Sequence, residues 1–268
     1  MVKKVLSNGY LFLILLLLYA PVLLLVAYSF NMSREIGIWS DEWGFSLYVE
    51  LFNDQDIIQT VVNTLVLAII SSILSSILGT LGAIGMFYSK QKTRKILNGA
   101  TQIPIINAEI VTAISIALVC TMFVFGRSYA SLLIGHVVLT FPFVVLSVMP
   151  KLKQVDNNLY EAALDLGATP TKALFSVIVP EILPGIISGF LLAFNMSLDD
   201  YIITTFTKPA TFETISTYVF DAYAKGGKSS SVPALRALST IIFVVMILFV
   251  VVRYVLSSRA AKKKEGLR

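Results

Sequence analysis

Six long apolar runs, separated by short polar stretches, set the pattern of this chain. They cover Tyr10–Phe30, Val62–Tyr88, Ile103–Phe125, Ala130–Met149, Ile182–Phe206 and Leu235–Leu256. A helix of about 20 apolar residues crosses a hydrocarbon core of about 30 Å, and each run reaches that length. None alternates polar and apolar residues as a membrane barrel strand does. A bilayer offers no partner to an open backbone, so the runs are expected to be helices. The pattern therefore predicts an all-α, polytopic membrane bundle of six transmembrane helices. It forms one domain over residues 1–268, with its longest cytoplasmic loop at residues 150–181.

Composition points the same way. Only 14% of the residues are charged and the mean hydropathy is +0.82, against roughly 25% charged in a soluble domain. The apolar surplus has to face lipid. The first run follows Lys3 and Lys4, as the apolar core of a signal peptide would. It lacks a small-x-small cleavage site near Phe30 and is long for such a peptide, so it reads as an uncleaved helix.

Charge gives the direction. Of the 21 Lys and Arg residues, all but Arg34, Arg127, Lys208, Lys225, Lys228 and Arg236 fall at the termini or in the loops after the second and fourth runs. The positive-inside rule places that set, and both termini, in the cytoplasm. The first outside loop is acidic, with Glu35, Asp41, Glu42, Glu50, Asp54 and Asp56 against Arg34. The net charge of +5 thus has a topological origin, and no nucleic-acid partner is read from it.

Several chemistries drop out. Cys120 is the only cysteine and His136 the only histidine. One imidazole makes no metal site, and no nucleophile-base set can be assembled. His136 reads as a hydrogen-bonding residue between helices. The stretch "AKGGKSS" at Ala224–Ser230 resembles half a phosphate-binding loop, but the first glycine of that motif would fall at Ala222. A nucleotide, if used, must sit on another protein. Ser72, Ser76 and Gly79, Ser75, Gly79 and Gly82, and Gly185, Gly189 and Ala193 form small-residue stripes at helical spacing, which let helix backbones approach closely.

One segment breaks the apolar pattern: "YEAALDLGATPTKALFSVIVPEILPG", Tyr160–Gly185. Asp156 is placed to cap a short helix ending at Leu166. Leu159, Ala162, Ala163 and Leu166 share one face of that helix. Gly167 supplies a turn. Thr169 and Pro170 are suited to the N-cap and first position of a second helix, and Pro180 and Pro184 are expected to break or kink the approach to the fifth run. An exposed apolar face with charged edges suits a docking surface; a helix lying in the membrane interface would carry the same pattern.

Carboxylates inside lipid are costly, so those present are functional candidates. Asp199 and Asp200 lie in "AFNMSLDDYIITTF", followed by Tyr201, and Glu109 lies in "PIINAEIVTAIS". Asn195 and Asp199 are four apart and share a face, whereas Asp199 and Asp200 point about 100° apart. One of the pair should face a route and the other cap, pair or meet a partner. Carboxylates along a route suit a cationic solute. Pairing with Arg236 or Arg127 is the alternative use for them.

Glu161-Ala162-Ala163, Gly167, Ile178, Pro180 and Pro184 together resemble the coupling loop of the permease subunits of ABC importers. Val179 stands where that pattern usually has Leu, and the register after Gly167 is slightly off the strict form. "NTL" at Asn63–Leu65 and the order of runs extend the likeness over essentially the whole chain. The resemblance implies the type I importer permease fold in a cytoplasmic (inner) membrane. It further implies a second permease subunit sharing the cavity, and an ATPase dimer gripping Glu161, Ala162, Ala163, Leu166, Gly167 and Ala168. An extracytoplasmic substrate-binding protein would deliver cargo at the outside loops Asn31–Val61 and Thr207–Ala234. ATP and magnesium would be held by the ATPase, leaving this chain with no cofactor of its own.

"SLDD", "AEIVTAIS" and "FETISTYVFDAYAKGG" are similar to the polyamine (spermidine/putrescine) branch, second of its two permease types. Relatives in that branch usually carry Pro where Ala108 stands. The resemblance implies a substrate pathway past Asp199, Asp200, Glu109, Asn195 and Tyr201. Two other readings stay open: an ABC permease for a metal ion or anion, and a transporter that needs no ATPase.

Overall fold

The computed structural model describes residues 2–34, 37–123, 126–224 and 232–265. Among them the elements are helices, joined by short turns and one isolated bridge between Asn31 and Trp43. The chain gathers into two compact units, Met1–Ile58 with Val219–Arg268, and Gln59–Tyr218.

In the first unit, α1 (Val2–Ser29) and α2 (Ser46–Asn53) both pack on the last helix of the chain, Val232–Glu265. Arg236 of that helix donates to the Ser33 carbonyl at 2.8 Å and lies 4.2 Å from the Tyr28 ring centroid. The Tyr28 hydroxyl in turn donates to the Ile38 carbonyl. Arg236 is thus engaged by the Ser33 carbonyl and the Tyr28 ring within this unit. No residue in the most apolar window of Gly9–Ser29 is buried by protein, which is what a lipid-facing helix requires.

The second unit begins at Gln59, inside α3 (Gln55–Tyr88), a single 34-residue helix that contains the whole second apolar run. Then come α4 (Gln91–Ile106), α5 (Glu109–Met122) and α6 (Tyr129–Leu152). The segment after α6 holds α7 (Asn157–Asp165) and α8 (Pro170–Ala173). A π-helical turn, Leu174–Ile178, leads into α9 (Val179–Asp199), followed by α10 (Ile202–Thr207) and α11 (Ile215–Ala224). The chain's final helix, Val232–Glu265, is α12.

The centre of this unit is α6, against which α4, α5, α9 and α10 pack. The small-residue stripes explain how closely they come. A Cβ added at Gly79 would lie 2.7 Å from the Val144 side chain, and one at Gly189 would lie 3.1 Å from the Val144 Cα. Val144 is fully buried between them. Hydroxyls tie the same seams, with Ser71 and Ser197 at 2.9 Å and Ser75 and Thr140 at 2.6 Å. Gly189→Leu is expected to cost about 1–3 kcal/mol by overpacking against backbone and to lower the melting temperature of the purified protein. Gly85, with no atom within 4 Å of an added Cβ, should accept Ala with no loss; equal melting losses for the two would show that the stripe does not set the packing.

Two of the expected spans are revised. The apolar run Ile103–Phe125 is not one straight helix: α4 and α5 meet at an angle of 107°, and Ile103–Ile106 belongs to α4. Asn107 and Ala108 are both extended, with φ −73° and −61°, so the helix stops and restarts there. Glu109 opens the new helix, where a carboxylate meets the positive end of the helix dipole. The fifth run also ends early, because α9 stops at Asp199 and α10 starts at Ile202. Conversely, Pro180 and Pro184 do not break its approach, and Pro170–Asp199 runs as one helix. The π-turn takes up the change in bonding just before Pro180, which sits in the first turn of α9 where a missing N–H is tolerated.

Four helical stretches are long and apolar enough to cross a membrane: Gly9–Ser29, Gln55–Tyr88, Tyr129–Leu152 and Pro170–Asp199. The bent pair α4–α5 makes a fifth if counted as one span. The sixth expected run starts on α12, whose described apolar part is Val232–Val245. The expected outside loops carry helices of their own, α2 in one and α11 in the other. Most of the "AKGGKSS" stretch, with Lys225 and Lys228, lies outside the described residues, as does Phe125.

The angle at Ala108 makes a direct prediction. Its φ of −61° is that of proline, and Asn107 before it, at ψ 149°, is in the region proline requires of its neighbour. Ala108→Pro should therefore keep or raise stability, by up to about 1 kcal/mol. A clear fall in melting temperature would mean that the break lies elsewhere.

Candidate functional site

The acids picked out in the sequence come together at the two helix breaks. Asp199 is the last residue of α9 and is exposed, as is Asn195 one turn earlier on the same face. Asp200 sits in the gap before α10 and is 4% exposed. Glu109, first residue of α5, is exposed and close enough to Asp200 and Asp199 for their charges to act on it. The packing of α10 on α5 brings them there. Tyr201, half-buried, follows Asp200, and its carbonyl accepts from the Thr205 amide at 2.9 Å.

The neighbouring aspartates thus have different surroundings. Asp200 turns inward: its carboxylate accepts from the Ile203 amide at 3.2 Å, the Thr204 amide at 2.7 Å and the Thr204 hydroxyl at 2.6 Å. It fixes the start of α10 through the free N–H groups of a helix N-terminus. Asp199, about 100° round the helix, is left outside.

Beneath Asp200 lies a polar cluster that joins three helices. His136 of α6 is fully buried. Its Nδ1 is 2.8 Å from the Ser197 hydroxyl on α9, and its Nε2 is 3.0 Å from the Thr204 hydroxyl on α10 and 3.5 Å from Asp200 Oδ2. The interhelical role expected of His136 is thereby met. Ser197 and Thr204 were not singled out by sequence reasoning; the only local signal is that Thr204 stands one helical turn after Asp200. Arg127 is engaged elsewhere, donating to the carbonyls of Lys208 and Thr205 at 3.2 and 2.9 Å. The outer face of α10 is held by Lys208, whose Nζ donates to the Phe212 carbonyl at 3.0 Å and to Glu213 at 2.5 Å.

The second candidate region is the segment around α7. The Asp156 side chain accepts from the Asn158 amide at 3.0 Å and caps α7. At its other end, Gly167 has φ +83°. Its amide donates to the Leu164 carbonyl at 2.8 Å, and the Ala168 amide donates to that of Ala163 at 3.0 Å. This is a Schellman C-cap, which needs a left-handed residue at the position of Gly167. Thr169 accepts from the Lys172 amide at 3.3 Å and starts α8, with Pro170 as its first residue. Leu159 and Leu166 are 44% and 89% exposed. Glu161 and Ala162 are exposed too, and Ala163 is half-buried. The elbow is capped at both ends of α7, and its exposed surface sets the apolar Leu159, Ala162 and Leu166 beside Glu161 and Asp165.

Residues 75–263 match the family described as binding-protein-dependent transport system inner membrane component. The chain belongs to that family. The match takes in the second part of α3, from Ser75 on, the broken pair α4–α5, the α7–α8 elbow and both sides of the α9–α10 break.

Full-length relatives are similar throughout. The spermidine/putrescine transport system permease protein PotC of Haemophilus influenzae is 29% identical over 95% of this chain and 97% of its own. The putrescine transport system permease protein PotI of Escherichia coli is 30% identical over 92% and 89%. Among solved structures, a bacterial ABC transporter that imports the acidic polysaccharide alginate aligns with a TM-score of 0.66 at 18% identity, over 92% of this chain and 95% of that one. The fold of this binding-protein-dependent permease is therefore that of an ABC importer's membrane subunit.

Proposed function

We propose that this chain is the membrane-spanning permease subunit of an ATP-driven importer of polyamines, spermidine or putrescine. It crosses the membrane six times with both termini in the cytoplasm and forms half of the translocation pathway as one permease domain. A second permease subunit supplies the other half, and an extracytoplasmic binding protein delivers the cargo. A separate ATPase dimer holds ATP and magnesium and drives the cycle through the elbow Glu161–Ala168, with Leu166 as its apolar contact. Closure of the ATPases draws the elbows together and switches the cavity between its two openings.

The observation that carries the cargo reading is the meeting of Glu109, Asp199 and Asp200 at two helix breaks, with Asn195 beside them. Carboxylates with exposed oxygens accept from ammonium groups, and such charged hydrogen bonds are the stronger kind. In this reading Asp199, Glu109 and Asn195 meet the cargo, and Asp200 and Tyr201 shape the turn that presents them. The names of the relatives support the same class of solute.

The test is uptake of radiolabelled spermidine and putrescine by cells that lack this chain and then regain it. Restored uptake of either supports the reading. Restored growth on another solute, with no polyamine uptake, overturns the cargo. Ala163→Cys, made with Cys120 replaced by Ser, should react with an impermeant maleimide from the cytoplasmic side only. Labelling from outside would reverse the orientation and remove the elbow from any ATPase.

A further inference from the structure

An apolar groove of about 500 Å³ opens between α3, α4 and α6, with Met86, Leu97, Thr101, Pro104, Phe141 and Pro142 on its walls. It is separate from the acid cluster and from the elbow. Its origin lies in two prolines. Pro104 and Pro142 have no N–H for the carbonyls of Ala100 and Val138, four residues earlier, and each ring pushes that carbonyl away. Both Ala100 and Val138 line the groove. The one hydroxyl in the lining, Thr101, is spent on the Leu97 carbonyl at 2.8 Å, so the walls ask for hydrocarbon.

The end of the groove has a different character. Leu97, Thr101 and Pro104 form a stripe along α4 at helical spacing, and the same stripe continues backward through Arg94 to Lys90. Lys92 and Lys95 lie beside it. Arg94 is half-buried and the other three are exposed. Among the described residues none of these cations has an ion pair, and α4 contains no acid. Four cations around the first turns of a helix oppose its dipole, which favours negative charge there. An anion at this end would relieve both the mutual repulsion and the unfavourable dipole.

We infer that an anionic phospholipid occupies this groove. One acyl chain lies along Leu97–Pro104 between Met86 and Phe141, and the phosphate sits at Lys90 and Arg94. The lipid fills the opening made by the two prolines and braces α4 against α3 and α6, just before the 107° break that sets Glu109 in place. The inference requires the chain to lie in a membrane and is independent of the cargo and of the ATPase.

The full chain is reconstituted in phosphatidylcholine vesicles containing a minor share of phosphatidylglycerol, extracted gently, and examined by native mass spectrometry. The wild type should keep phosphatidylglycerol in clear preference to phosphatidylcholine. Lys90→Gln with Arg94→Gln should reduce that preference by about tenfold or more. Ala100→Trp, which fills the groove, should reduce retention of both lipids. Equal retention of the two lipids by the wild type, or a preference unchanged in the charge variant, overturns the proposal. Should Ala100→Trp fail to fold, the charge variant replaces only exposed and half-buried side chains and decides alone. A photoactivatable label at Ala100→Cys should attach to lipid in native membranes; attachment to a protein would give the groove to a partner subunit and overturn the lipid reading.

Discussion

Asp199→Asn is expected to cut polyamine uptake at limiting substrate by about ten- to a hundredfold, while the protein inserts and melts as the parent does. The magnitude follows from a charge-assisted hydrogen bond worth about 1.5–3 kcal/mol, lost when the carboxylate becomes an amide. The unchanged melting follows from exposure, since Asp199 ends α9 and faces outward. Asp200→Asn should do the reverse. The Asp200 carboxylate receives the amides of Ile203 and Thr204 on different oxygens, and the Thr204 hydroxyl as well. An amide nitrogen cannot accept from a backbone N–H, so one buried donor is orphaned at a cost of about 1–3 kcal/mol. That variant should melt lower and lose uptake through KM and yield together. The pair of melting curves, read beside the uptake curves, checks the assignment. A destabilised Asp199→Asn with a robust Asp200→Asn would invert it.

Leu166→Asp is expected to abolish uptake with no loss of stability. Leu166 is 89% exposed at the end of α7 and covers nothing in its own chain, so folding gives no reason for it to be apolar. If it enters a pocket of an ATPase, a buried charge there removes a contact of the kind that costs about 2 kcal/mol or more at an interface centre. Copurification of the ATPase should fail in step with uptake. Gly167→Ala is the milder companion. It forces an L residue to φ +83°, at about 1–2 kcal/mol, and should weaken coupling by loosening the Schellman turn rather than by altering the contact. Full uptake with Leu166→Asp would mean that the elbow is not where force is transmitted.

These two sites were legible in the sequence to different degrees, for a physical reason. The elbow is written locally. Asp156, Gly167, Thr169 and Pro170 each fix the backbone within a few residues, and the caps and left-handed turn form where those residues stand. The small-residue stripes were also readable, because helical spacing alone puts Gly185, Gly189 and Ala193 on one face. The apolar runs marked where the greasy segments lie but not their straightness. Hydropathy averages over a window, and Asn107-Ala108-Glu109 is too short to lower it, so the 107° turn was hidden inside the third run. The end of α9 at Asp199 was hidden in the same way.

The sequence by itself determined that this chain belongs in a membrane, and the shape of its elbow, since each depends on residue type and near-neighbour spacing. Tertiary structure decided which carboxylate is outside. Asp199 and Asp200 are adjacent and chemically identical, and what separates them is Thr204 on α10, with His136 on α6 behind it. It also decided that Glu109 would join them, because that meeting depends on α10 packing against α5. The partners that sort equal residues into cap and contact are distant in the chain, and only the packed helices bring them within hydrogen-bonding reach.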